Sequence, residues 1–132
     1  MQYQEFLGQV QNRARLAAFD DAAKATRATL ETLAERLYGN EADHIASQLP
    51  EEIAIFLKGG NKKTKYTVNE FFQKVSEKEG VELPEAVFHT RVVIDVLKDA
   101  VSKGEFDHVR DQLPADYNRL FDSGSQGNMK GA

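Results

Sequence analysis

Residues 43–50 read Asp-His-Ile-Ala-Ser-Gln-Leu-Pro, and residues 107–114 read Asp-His-Val-Arg-Asp-Gln-Leu-Pro, an offset of 64. The same offset carries Ala22 onto Ala86, Thr26-Arg27 onto Thr90-Arg91, Leu33 onto Leu97 and Glu41 onto Glu105. It also carries Phe56-Leu57 onto Leu120-Phe121. Near the start, Glu5-Phe6 and Val10 match Glu70-Phe71 and Val75 at an offset of 65, so one residue is lost in a connection of the second copy. Solenoid units run about 20–50 residues and need at least three copies. Two longer copies predict instead a duplicated helical unit folded face to face.

Charge follows the same partition. Residues 1–57 carry a net −4, residues 67–121 a net −4, and residues 58–66 a net +4 from Lys58, Lys62, Lys63 and Lys65. The whole chain of 132 residues is acidic, at −4, with a pI near 5.4, which argues against general nucleic-acid binding. Hydrophobic residues make up 41%, too many for disorder and right for a soluble globular protein. The chain has no cysteine, which excludes disulfides, thiolate zinc sites and a cysteine nucleophile. No apolar run is long enough to span a bilayer, and Met1–Glu5 has no basic or apolar stretch, so no signal peptide is expected.

Both copies read as helical. Phe6, Val10 and Ala14 recur every four residues, one face of an amphipathic helix. The matching helix opens on Thr67-Val68-Asn69-Glu70, a capping box, and Gly80 is its natural stop. A long helix is expected over 22–38, capped by Asp20 or Asp21, with Thr26, Leu30, Leu33 and Leu37 as its stripe. Its counterpart is expected over 84–102, with Pro84 in the first turn and Thr90, Ile94, Leu97 and Val101 as the stripe. Gly39-Asn40 and Gly104 are expected to break the chain afterwards. A short third helix carries Asp43-His44 and ends before Leu49-Pro50, because proline drives the residue before it out of helical angles. Leu49 and Leu113 are expected to turn inward. The last helix starts at the proline, with Ile53, Phe56 and Leu57, or Tyr117, Leu120 and Phe121, facing the core. From Asp122 onward the periodicity stops and the chain should fray.

Three constellations could carry chemistry. The pairs Asp43-His44 and Asp107-His108 are potential metal ligands or acid–base groups. There is no HExxH-type spacing. With Asn40 as N-cap, Asp43 falls at the third helical position, where a carboxylate meets free amides, and Gly104 and Asp107 repeat that spacing. The pairs are therefore read as structural, and His89, which aligns with Ala25, as unrelated to them. Arg27 and Arg91 each precede an acid by four residues, Glu31 and Asp95. They are read as bonding internally, to that acid, to carbonyls at the Gln-Leu-Pro corner or to the Asp of the third helix; the alternative is an anion held between them. The lysine segment lacks the strand, spacing and Gly-Lys-Ser/Thr ending of a phosphate loop, and is read as a solvated linker able to meet an acidic partner.

The Glu5-Phe6 and Val10 pattern, the helix from Thr26-Arg27 to Leu37, and the two Gln-Leu-Pro corners at 48–50 and 112–114 resemble a bacterial family catalogued as domain of unknown function 2267. The resemblance covers about residues 3–121. It implies an all-helical cytoplasmic protein without established activity, and it supplies no catalytic residues.

The sequence is thus read as one all-α domain over 1–121. It comprises two tandem pseudo-symmetric repeats of about four helices, 1–57 and 67–121, a basic loop 58–66, and a flexible tail 122–132. One joint core is expected, since each half alone is marginal in size. Function is read as a non-catalytic protein-interaction or adaptor module, in stress or regulatory physiology, with a protein partner and no nucleic acid, membrane span, metal or cofactor. The alternative is a sensor of a small ligand or anion, in an inter-repeat cleft lined by Arg27, Arg91, His44 and His108. An enzyme would require His44 and His108 to converge on a pocket.

Overall fold

In a computed structural model, residues 1–58 and 64–125 are described, the last four of these by their backbone only. Every regular element among them is helical. The first is α1 (Tyr3–Arg13), which turns Phe6, Leu7 and Val10 inward at the spacing of one helical face. The chain then reverses through Arg15, which holds a left-handed φ of 56°. An L side chain adopts that conformation at a cost of roughly 1–2 kcal/mol.

Helix α2 (Phe19–Arg36) begins earlier than expected. Its N-cap is Ala18, so Asp20 and Asp21 lie within the first turn rather than capping it, as partners of the positive helix end. Its buried face is built from small residues, among them Ala22, Ala25, Thr26, Ala28 and Thr29, with Leu30 and Leu33. Small residues there leave room for the large side chains of flanking helices. Two short helices follow, α3 (Glu41–Ala46) and α4 (Glu51–Ala54), joined by the Leu49-Pro50 corner. Leu49 is half-buried against the core, and Leu113 at the second corner is buried.

Helix α5 (Val68–Glu79) has the expected capping box: Thr67 Oγ1 accepts the Glu70 amide at 3.1 Å, and Glu70 Oε1 accepts the Thr67 amide at 2.9 Å. It ends on Gly80, whose φ of 76° favours glycine. Helix α6 (Leu83–Ala100) carries Pro84 in its first turn and ends two residues short of the expected 102. Helix α7 (Lys103–Gln112) corrects the reading of Gly104 as a breaker. Ser102 caps this helix, accepting the Glu105 amide at 3.2 Å, and Gly104 sits inside its first turn. A 3-10 turn (Ala115–Tyr117) leads into α8 (Asn118–Ser125). That helix runs four residues past Phe121, where periodicity was expected to stop, because a helix anchored at one end propagates with one hydrogen bond per added residue. Residues 126–132 of the expected tail lie outside the described residues.

The long helices α2 and α6 pack on each other. Both are flanked by α1 and α5, α8 packs along α6, and α3 meets α7. Thus α1 touches α6 as well as α2, and α5 touches α2 as well as α6. The buried apolar side chains form one cluster running from Phe6 to Phe121. Burying each fully enclosed leucine, such as Leu30 or Leu33, contributes about 1.5–3 kcal/mol.

Candidate functional site

Two places gather polar side chains that the packing leaves short of partners. The first is a cleft of about 510 Å³. Its walls are the α1–α2 reversal at Arg15 and Leu16, the α2 residues Asp21 and Lys24, the end of α5 and its turn at Glu79 and Val81, and the α6 residues Glu85, Phe88 and His89. That volume lies in the usual range for small-molecule sites.

His89 and Glu79 form a buried pair on this wall. Nδ1 of His89 lies 2.5 Å from Glu79 Oε2, and the two side chains are only 7% and 4% exposed. The Phe88 ring lies 5.9 Å from that of His89 between centroids, tilted by 46°. Glu79 Oε1 is buried and has no hydrogen-bond partner among the described residues. A buried acceptor left without a donor costs about 1–3 kcal/mol, and more if charged. Nothing in the sequence pointed to this pair. His89 falls on the inner side of α6, but its partner is reached only because Gly80 turns the chain back.

The second place is the α3–α7 junction. Donor atoms of Glu41, Glu105 and His108 all lie within 4.8 Å of one another, a group able to hold a metal ion. Glu41 Oε2 and Glu105 Oε2 are buried without partners. Burial and then the neighbouring Glu105 push the Glu41 carboxyl above its usual pKa, while His108 and His44 pull it down. The residue that meets His108 is therefore a glutamate, not the adjacent aspartate singled out by sequence.

The aspartates go elsewhere. Asp43 lies exposed in the first turn of α3, whose N-cap Asn40 makes no side-chain capping bond. Asp107 does not repeat that position, because α7 starts earlier; it pairs with Lys103 at 2.8 Å and Arg110 at 3.4 Å. The bond from Lys103 holds its carboxyl below the usual range.

The other sequence candidates separate. Arg27 is exposed and bonds Glu31 at 3.1 Å, as its spacing suggested. It also lines a second depression, of about 440 Å³, with Lys24, Lys78 and Glu79. Arg91 does not use Asp95. Its Nε donates to the Arg119 carbonyl in α8 at 3.2 Å, while Asp95 takes Arg13 of α1 at 2.9 Å. Arg91 is absent from the linings of both clefts described above, so neither is the Arg27/Arg91 anion clamp expected from sequence. Lys58 lies 3.7 Å from Glu51, and Lys65 is exposed. Lys62 and Lys63 lie outside the described residues.

Helices packed around a shared core, without strands among the described residues, define an all-α helical bundle. The chain belongs to the family described as Uncharacterized conserved protein (DUF2267), whose model matches residues 3–120. No curated protein matches the chain. No helix among the described residues is long and apolar enough to cross a membrane.

Proposed function

We propose that this protein is a non-catalytic binding module for a small polar ligand, held in the cleft beside Glu79 and His89. The observation that carries the reading is Glu79 Oε1, a buried carboxylate oxygen without a donor on the wall of a cleft of ligand size. This oxygen is closed to solvent, so a ligand N–H or O–H reaches it only by turning the Glu79 carboxylate toward the cleft, and that contact offsets the cost. The Arg15 guanidinium, which makes no ion pair among the described residues, suits an anionic group on the same molecule. Phe88, Leu16 and Val81 suit a short apolar portion. A free amino acid has this combination of groups.

The adaptor reading rests on the absence of catalytic motifs in the sequence; among the described residues the surface adds to it only the exposed apolar side chains Phe19, Tyr38, Ile55 and Leu83. Ile55 is the most open, at 60%. These side chains belong to separate segments of the chain, and single exposed apolar residues are normal on a protein surface. The ligand reading therefore leads.

Thermal unfolding in the presence of each free amino acid, one at a time, tests the reading. A ligand at about 100 times its Kd adds about 2.7 kcal/mol to stability. The expected result is a Tm rise with a small subset of the panel, lost in Glu79→Gln. A rise that Glu79→Gln leaves unchanged, or no rise with any member, contradicts it.

A further inference from the structure

The pattern Glu-x-Asp-His occurs twice, at Glu41–His44 and Glu105–His108. Residues three apart on a helix share a face, so each segment presents a carboxylate and an imidazole together. Bundle proteins use this Glu-x-x-His spacing to hold metal ions between facing helices. Here the two segments lie on α3 and α7, which pack on each other.

We propose that Glu41, Glu105 and His108 form a site for a borderline first-row divalent cation such as Zn²⁺, with water completing the coordination. Three observations support it. The three donor groups come within 4.8 Å of one another. Donors bound to one ion at about 2.0–2.2 Å sit roughly 3–4 Å apart, so small side-chain rotations close the site. Glu41 Oε2 and Glu105 Oε2 are both buried, with no donor other than a proton shared between the two carboxyls, an arrangement that a cation would relieve. The backbone around them is held from both ends: Gln48 of the α3 segment bonds Ser102, and Gln112 of the α7 segment bonds Tyr38. One imidazole with two carboxylates suits zinc and its neighbours better than Mg²⁺ or Ca²⁺, which take all-oxygen shells. This site is separate from the Glu79–His89 cleft and does not depend on it.

The competing account of the same geometry is a proton shared between the two carboxyls. Titration of the chelator-treated full chain with Zn²⁺, followed by calorimetry at neutral pH, separates the two. The expected result is saturable one-to-one binding, weakened at least about tenfold in His108→Asn and in Glu105→Gln. Paramagnetic broadening by Mn²⁺ of wild-type amide signals gives a readout that needs no variant. Signals of Ala42 and Phe106 should broaden first, and those of Gly80 and Val81 should not. Absence of stoichiometric Zn²⁺ binding, undiminished binding in both folded variants, or broadening centred elsewhere overturns the proposal in favour of the shared proton.

Discussion

Gln48 Oε1 accepts the backbone N–H of Ser102 at 2.7 Å, and its amide reaches Ser102 Oγ at 3.4 Å. Gln112 does the same for Tyr38, accepting its N–H at 3.3 Å and donating to its carbonyl at 3.2 Å. The end of each short helical segment thus clasps the start of the other, so α3 and α7 run in opposite directions. The offset from Gln48 to Gln112 equals that from Tyr38 to Ser102, which is also the offset between the matching sequences.

These clasps are exposed, so each is worth about 0.5–1.5 kcal/mol. Gln48→Ala with Gln112→Ala should lower unfolding stability by about 1–3 kcal/mol, with an unchanged denaturant slope in urea. A variant as stable as wild type would show that the clasps are incidental.

The Glu41 carboxyl titrates above its usual range. The folded state therefore holds a proton that the unfolded state has already released. Stability from this group is fully present below the unfolded carboxyl value and is lost as pH rises through the folded one. In metal-free protein, Glu41→Gln should flatten that fall above the usual carboxylate range. Urea midpoints across the range check it, and a parallel decline in the variant would assign the fall to other groups.

Tyr117 is buried, its hydroxyl donates to the Tyr66 carbonyl at 2.7 Å, and its ring lies edge-on to Phe71. Burial pushes its pKa up to about 12. Alkaline conditions should destabilise the protein as pH rises from about 10 through about 12, since the unfolded tyrosine ionises first. Tyr117→Phe should lose about 1 kcal/mol at neutral pH and lose that part of the alkaline decline. An unchanged decline would point to other groups.

Arg15→Gly removes a left-handed side chain, gaining roughly 1–2 kcal/mol, against about 0.5–1 kcal/mol of added unfolded-state entropy. A net gain of about 0.5–1 kcal/mol with weaker ligand-induced stabilisation is expected. Denaturation with and without an amino acid that raises the wild-type Tm measures both. Lower stability, or undiminished stabilisation, would remove Arg15 from the account.

Local chemistry was legible where the rule and the residue are neighbours. Thr67 with Glu70, Gly80 and Pro84 each mark a terminus by their own backbone preferences, and the structure uses them so. Helix starts were misread where several residues could serve. Asp20 and Asp21 suit either a cap or a first turn, and Ser102 two residues before Gly104 outcompetes the break expected there. The candidate sites were less visible, because their pairings are tertiary. The Asp-His pairs drew attention by adjacency, yet helical geometry turns the side chain three positions back, Glu105, toward His108. Gln48 and Gln112 read as parts of a corner, since their partners are 54 and 74 residues away.

The central claim, a ligand cleft built around Glu79 and His89, is tested most directly by amide NMR. Uniformly labelled protein is titrated with whichever free amino acid raises the wild-type Tm most. The account predicts saturable shifts at Arg15, Leu16, Gly80 and Val81, on the two sides of the cleft. Shifts confined to α3 and α7, or no saturable shift with any amino acid, would contradict it.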